Sequence, residues 1–385
     1  MSETLRILVL NLRDISNPHA GGAEVHLHQI FSRMAARGCH VTLHCGGYPG
    51  ARREEVIDGV HVVRRGGRLD NGIWSALFYL RHRAEFDVIV DYTCQLHFLT
   101  PLYVRAPRVA VALHVVGDVY RHDLPSPIGH LVAGWEELSL RLFYRREHFI
   151  AISGSTAAEL LKHGISPERI RVIQGARSEP GPPSGIPKAS LPTLVYHGRL
   201  KRYKRVDLVL KAMPEVLRQV PNAQLRVIGS GDDDGRLRHL ATELRLDAVV
   251  SFEGWLPADR HWEMLASSWL HVQPSLKEGW SLSVMDAAQC GLPTLASRVP
   301  GLRDMIEPGV TGELFEPDDV GELATRAAAL LGDPARRQLM GERATAWAAR
   351  FTWEDASRKV EEMLHELAGH ELPASRSEPV SAGVD

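Results

Sequence analysis

Short apolar runs alternate with longer amphipathic ones along this chain, and the whole rhythm is played twice with a break between. Residues 7–10 read as a buried strand, followed by a loop holding Gly21-Gly22 and a helix over about 23–37. Further strands are predicted at 41–45, 60–63, 88–90, 109–113, 149–152 and 171–173, with helices near 75–83, 131–146 and 156–163 between them. Parallel strands need a crossover of a dozen or more residues, usually a helix. The alternation therefore predicts a mostly parallel sheet with helices on both faces.

The stretch 175–192, GARSEPGPPSGIPKASLP, interrupts the rhythm with Pro, Gly and Ser and reads as an interdomain connection. The rhythm then restarts with a strand at 194–197 and a helix over 206–218, whose Val206, Val209, Leu210, Met213 and Leu217 share one face. Strands follow at 225–228, 249–252, 270–273 and 294–296, and the chain reads as helical from about 318 to 367. The predicted organisation is an N-terminal Rossmann-like domain over 1–178, a linker over 179–192 and a second such domain over 193–350. A helix over 351–370, with packing back on the first domain as one placement, and a disordered tail over 371–385 complete it. A length of 385 residues suits two domains, and 44% apolar residues suffice for a core in each.

Lys and Arg number 45 against 47 Asp and Glu, which argues against a nucleic-acid binder. Local basic runs remain at Arg64-Arg65, Arg145-Arg146 and 201–205. Cys39, Cys45, Cys94 and Cys290 show no C-x-x-C spacing, so a metal ribbon or redox motif is not expected and a cytoplasmic setting is. The opening apolar run is too short for a signal peptide, and no run approaches the length of a membrane span.

In doubly wound sheets ligands bind beyond the carboxyl ends of the strands, and three motifs sit there. Gly21 and Gly22 precede a helix, where close backbone approach and free N–H groups suit a diphosphate; a ligand-free turn is the alternative. His197-Gly-Arg-Leu-Lys-Arg-Tyr-Lys-Arg205 follows a strand ending at Gly198. Arg199 and Lys204 make a natural diphosphate clamp there, against the alternative of a solvated basic loop. Gln273 to Asp286 follows a strand and enters a helix, carrying Glu278, Gly279 and the free N–H groups of Ser281 to Ser283. Asp286 in that helix also fits a plain helix-start acid. Asp232-Asp-Asp234 has a cation-binding D-x-D spelling, but its place before a helix favours an acidic helix start. His26 and His28 fall on different helix faces and are no metal pair.

Taken in order, Gly-Gly-Ala-Glu24, His197-Gly-Arg-Leu with Lys204, and Glu278-Gly-Trp-Ser-Leu-Ser-Val-Met-Asp286 resemble the retaining glycosyltransferases of family 4, with the GT-B architecture. Cys290-Gly-Leu-Pro-Thr-Leu-Ala-Ser, Pro300-Gly-Leu-Arg-Asp, Val227-Ile-Gly229-Ser-Gly231 and Ile152-Ser153 extend the resemblance across roughly residues 5–365. It implies that Arg199 and Lys204 bind the diphosphate of a nucleotide-sugar donor and that Glu278 contacts the sugar. The backbone of Gly279, Trp280, Ser281 and Leu282 would hold sugar and phosphate, and Asp286 the ribose. Gly22, beside Gly21, would approach the diphosphate from the opposite domain. Gly198 and Gly229 would line the donor side, and Gly254, Trp255 and Leu256 would face the base. His114 matches more loosely a family histidine near the reacting sugar.

One departure stands out. The family's E-x7-E pattern ends here in Asp286, one methylene and about 1.5 Å shorter in reach. What the resemblance implies is hexosyl transfer with retention to a hydroxyl of a glycan, a lipid or a small molecule, by positioning and charge stabilisation in a closing cleft. It implies no metal and no cofactor beyond the donor. A nucleotide-sugar 2-epimerase and a catalytically silent nucleotide-sugar-binding subunit share the architecture and stay as alternatives. The segments 74–83 and 138–146 are apolar with basic flanks. Each reads as an ordinary core-facing helix or as a peripheral contact with the inner face of a membrane.

Overall fold

The computed structural model describes residues 4–93, 98–123 and 125–370; Cys94 and the tail expected at 371–385 lie outside them. The first eight strands are β1 (Arg6–Leu10), β2 (His40–Cys45), β3 (Glu54–Ile57), β4 (Val60–Arg64), β5 (Val88–Tyr92), β6 (Arg108–Ala112), β7 (His148–Ala151) and β8 (Ile170–Val172). They form one sheet in the order β3-β4-β2-β1-β5-β6-β7-β8. A second sheet, ordered β11-β10-β9-β12-β13-β14, holds β9 (Thr193–His197), β10 (Gln224–Ile228), β11 (Val250–Gly254), β12 (Leu270–Gln273), β13 (Thr294–Ser297) and β14 (Gly312–Phe315). Among the named strands every pairing is parallel except β3 with β4. That hairpin closes through Asp58 and Gly59, both at positive φ, as a tight two-residue turn requires. The polar sequence of β3, EEVI, hid it from the hydrophobic pattern.

Helices cover both faces of the first sheet, so its strands bury consecutive residues. In β1, Ile7 and Val9 join one core with Leu27, Ile30, Phe31 and Met34 of α1 (Gly22–Ala36). Leu8 and Leu10 face the opposite core with Tyr79 of α2 (Asn71–His82). That second side continues under β6 and β7, where Ala110, Ala112 and Ala151 meet Leu140 of α4 (Ile128–Leu142) and Leu160 of α5 (Gly154–Lys162). The short α3 (Asp118–Asp123) lies between β6 and α4.

The second sheet is packed by α6 (Val206–Gln219), α7 (Asp234–Glu243), α8 (Ala258–Ser267), α9 (Leu282–Gln289), α10 (Val320–Gly332) and α11 (Pro334–Ala348). The last helix, α12 (Trp353–Ala368), crosses back: Trp353, Ala356, Val360, Met363 and Leu364 complete the core beneath α1 and β1. Residues 173–192 carry no regular element and are strapped to the second domain. There the Lys188 ammonium donates to the Ala266 and Ser268 carbonyls, and the Trp269 indole to Ala189.

Strand order reverses direction at β1/β5 in one sheet and at β9/β12 in the other. Crevices for ligands open beyond the carboxyl ends of strands at such points, and the loops after β1, β9 and β12 carry the motifs singled out above. Two of the basic runs are not free patches. Arg64 is buried on Asp14 and Glu55, while within 201–205 Lys201 pairs with Asp232, Lys204 with Glu278 and Arg205 with Asp207 and Asp318.

Candidate active site

The N-terminus of α1 points into the crevice. Glu24 reaches back to accept the Gly21 N–H at 2.7 Å, which holds the loop end in place. The guanidinium of Arg199 crosses from the second domain onto Gly21: a methyl group there would lie 3.1 Å from its Cζ. Gly22 faces Leu282, at the start of α9, where an added Cβ would lie in ordinary contact at 3.8 Å. Two helix N-termini, one from each domain, thus meet across the gap, and both favour an anion. Arg13, which the motif reading passed over, adds a third cation. Its guanidinium donates to the His19 carbonyl, and burial lowers its affinity for the proton against the pull of Glu24. Its place just past the end of β1 was the available signal.

Gly198 and Gly229 shape the second-domain wall. Both adopt left-handed φ, of 142° and 129°, and a methyl group on Gly229 would overlap the Gly198 carbonyl oxygen. Their role is backbone packing, and they hold Arg199 at the rim together with the Tyr196 hydroxyl, which donates to the Arg199 carbonyl at 2.9 Å. Lys204, on a short 3-10 turn, places Nζ 2.6 Å from Oε1 of Glu278. That same oxygen accepts from Gln273 Nε2 at 2.9 Å and Ser275 Oγ at 2.7 Å. Oε2 accepts no hydrogen bond among the described residues and is the open acceptor of the site.

Burial pushes the Glu278 carboxyl up, yet the Lys204 charge and the donated hydrogen bonds outweigh it and hold it below the usual range. Burial likewise pushes Lys204 down, and Glu278 more than restores it. Both groups are therefore charged at neutral pH. Gln273 and Ser275, at the carboxyl end of β12, were quoted in the motif without a role; they orient Glu278.

Gly279 sits where the domains touch most closely: a Cβ would overlap the Leu113 carbonyl oxygen. Gly301, at φ +84°, gives the Glu278 carbonyl the same clearance from behind. His114, the next residue after Leu113, is brought into the site. Burial lowers it to about 4, and Lys277, Lys204 and Arg199 act the same way against Glu278. The ring is neutral and offers one donor and one acceptor.

The Trp280 ring does not line the donor crevice; it stacks on Trp347 at 5.8 Å and meets Phe351 edge-on at 5.1 Å, so only its backbone is available. One expectation, a free Ser281 N–H, is corrected here, since it points to the Met305 sulfur at 3.1 Å. The N–H groups of Leu282 and Ser283 remain.

Asp286 lies in the second turn of α9 and not at the helix start. Burial pushes its carboxyl up to about 7 against hydrogen bonding from Ser178, and its Oδ1 is buried with no partner among the described residues. His197 and His261 bring ring nitrogens within 4.8 Å of it. Both rings are held neutral by burial, His197 at about 3, and His197 Nε2 is 2.9 Å from the Ser283 carbonyl oxygen. His197 opens a quoted motif without a role of its own, and His261, on α8, was not singled out, because the two meet only in the folded chain. Gly254 adopts φ +67°, Leu256 is half-buried beside α8, and the Trp255 ring is 77% exposed.

The halves are also latched. Lys277 Nζ meets Glu159 of α5 at 2.6 Å, and Asp304 accepts the Ser155 N–H and hydroxyl at 2.8 and 2.9 Å, capping α5 from the other domain. Asp232-Asp-Asp234 at the entry to α7 pairs with Lys201 of the loop after β9 and with Arg236 and Arg238 of α7 itself.

Two family models match the chain. One, described as Glycosyltransferase Family 4, covers residues 20–176; the other, described as Glycosyl transferases group 1, covers 184–347. A GDP-mannose-dependent alpha-(1-6)-phosphatidylinositol monomannoside mannosyltransferase of Mycolicibacterium smegmatis is 28% identical over 230 residues, 57% of this chain and 60% of that one. The D-inositol 3-phosphate glycosyltransferase 1 of Catenulispora acidiphila is 26% identical over 389 residues, 92% of each chain. Against several other such relatives the chain spans about half of their length. A sucrose-phosphate synthase from Thermosynechococcus elongatus superposes with a TM-score of 0.79 at 21% identity, covering 95% of this chain and 99% of that one. A likeness at that identity speaks for the fold.

Proposed function

Since the chain belongs to glycosyltransferase family 4 and has the GT-B fold, we propose that it moves a hexose-type sugar, with retention, from a nucleoside-diphosphate sugar to an acceptor hydroxyl. One observation carries the reading. A buried, ionised Glu278 has one oxygen saturated by Lys204, Gln273 and Ser275 and the other open, beside two converging helix N-termini. A carboxylate so placed accepts from sugar hydroxyls. Arg199, Lys204 and Arg13, with the N–H groups at Gly22, Leu282 and Ser283, hold the diphosphate and take up its charge as it leaves.

The acceptor oxygen bonds to the anomeric carbon from the face the diphosphate leaves, and its proton passes to the departing phosphate oxygen. Neutral His114 hydrogen-bonds the sugar without adding charge. Asp286 takes the ribose hydroxyls, and Gly254 to Leu256 border the base. Three cations at the diphosphate leave no charge for a metal to neutralise, so turnover is expected to survive EDTA unchanged. The scattered free thiols of Cys39, Cys45 and Cys290 suit a reducing cytoplasm.

Incubation with UDP-, GDP-, ADP- and dTDP-sugars tests the reading. Slow release of free nucleoside diphosphate supports it, and an epimerised donor overturns it in favour of a 2-epimerase. Tight binding without turnover in the presence of acceptors assigns a silent subunit. The relatives' names make GDP-mannose and inositol-bearing acceptors the first pair to try. Glu278→Ala is expected to remove turnover while nucleoside diphosphate binding persists; Lys204→Ala weakens both.

A further inference from the structure

Two helices on one side of the first domain are packed inside out. α4 buries Gly129, Ala133, Glu136 and Ser139 along with Leu140, while it exposes Ile128, Leu131, Trp135, Leu138 and Leu142, the last at 63% and Leu131 at 70%. These five fall at helical spacing on one stripe. α2 does the same: Asn71, Ser75 and Tyr79 go inward, and Ile73, Trp74, Leu77 and Leu80 face out. Both helices lie against the same face of the sheet, the one lined by Leu8, Leu10, Ala110 and Ala112. Isolated exposed leucines are ordinary on a protein surface, but two apolar stripes on one side are not.

Cations border the stripes. At the end of α4 a groove of about 930 Å³ is lined by Arg105, Arg108, Arg141, Arg145 and Arg146 beside Leu142 and Phe143. Arg108 is tied to Glu147 and Arg141 to Glu137, while Arg105, Arg145 and Arg146 make no ion pair among the described residues. Arg81 and Arg83 follow the stripe of α2. Apolar residues that include tryptophans, rimmed by unpaired arginines, match the layering of an anionic bilayer surface: acyl boundary within, negative headgroups around it. No helix among the described residues is long and apolar enough to cross a membrane, so the contact lies along the surface.

The same helix is wired to the crevice. Glu136, on the buried side of α4, accepts the N–H groups of Val116 and Gly117 at 3.0 and 2.6 Å, two and three residues beyond His114. α3, at the head of α4, packs on the turn that carries Lys204. We propose that the outer face of α2 and α4 with the arginine groove is a docking surface for an anionic phospholipid bilayer. The groove borders the amino ends of β6 and β7, opposite the crevice, so α4 runs from the bilayer contact toward the cleft. The surface does not depend on the donor reading.

Co-sedimentation of the full chain with vesicles of phosphatidylglycerol and phosphatidylcholine, against phosphatidylcholine alone, tests it. The protein is expected to pellet with the anionic vesicles, to be released by high salt, and to show tryptophan quenching by brominated acyl chains. Arg145→Ala with Arg146→Ala lowers the partition by roughly thirtyfold, since each basic residue near such a surface is worth about a factor of five. Leu131→Gln with Leu138→Gln abolishes the quenching; both pairs lie on the surface and keep the melting temperature and donor hydrolysis of the parent. Absence of binding to anionic vesicles overturns the proposal, as does equal binding by parent and variants. A dimer that the leucine variant dissolves, without vesicle binding, assigns the face to a second copy. Donor hydrolysis in solution is read without vesicles, so failure of the donor reading and of the docking surface are seen separately.

Discussion

At Asp286 one missing methylene acquires a setting. The sequence places an acid eight positions after Glu278, and its shorter reach is all that can be read there. The structure surrounds it with His197 and His261, both neutral, and leaves Oδ1 buried without a partner. Its carboxyl titrates at about 7 because burial outweighs the help from Ser178. The folded form thus holds a proton that the unfolded chain releases near pH 4, and this residue's contribution to stability falls as pH rises from about 4 to about 7. Ribose hydroxyls donating to the carboxylate would favour its ionised form. Nucleoside diphosphate is therefore expected to bind more tightly as pH rises through 7, with release of a proton. Calorimetry in buffers of different ionisation heat measures that release, and Asp286→Asn should abolish it. A flat affinity from pH 6 to 8 in the parent would rule out a ribose role for this carboxyl.

Among the elements, periodicity located α1, α2, α4, α5 and α6 but missed α8, and it was a poor guide to what the helices cover. The stripe of α6, from Val206 to Met213, faces the core, as such stripes ordinarily do. The stripes of α2 and α4 face out, because the small and polar residues on the other side of each helix fit closer to the sheet. At Gly129 the buried side of α4 also meets α3 closely: a methyl group there would overlap the Tyr120 carbonyl oxygen. α12 is the opposite case, a helix from the end of the chain that completes the first domain's core. Trp353 is 1% exposed in that core, packed edge-on against His26 at 5.7 Å. Trp353→Ala is expected to cost about 3–5 kcal/mol of stability, the range for emptying a buried aromatic site. Urea denaturation followed by circular dichroism checks it; a loss under 1 kcal/mol would mean that the helix is a dispensable cover.

For the molecule as a whole the decisive contacts run between the domains. Asp304 caps α5 and Lys277 pairs with Glu159, while Gly279 lets the Leu113 carbonyl come within touching distance. A Cβ at position 279 has no room, and backbone on both sides cannot yield as a flexible side chain would. Gly279→Ala is therefore expected to hold the cleft open. Solution scattering should report a larger radius of gyration, and turnover should fall at least tenfold while nucleoside diphosphate binding, made mostly by the second domain, changes little. Asp304→Ala removes a charge at a helix N-terminus worth about 0.3–1 kcal/mol and should produce the same opening in milder form.

The amino-acid sequence by itself determined the two doubly wound sheets, the connection between them and the loops after β9 and β12, because strand period, helix period and glycine placement depend on near neighbours. Only the tertiary structure decided that Arg199 lies on Gly21, that the Trp280 ring turns away from the crevice, that His261 joins His197 beside Asp286, and that two apolar helix faces stay uncovered. Each of these rests on residues far apart in the chain meeting across packed surfaces, where shape and burial set the outcome and local spacing carries no signal.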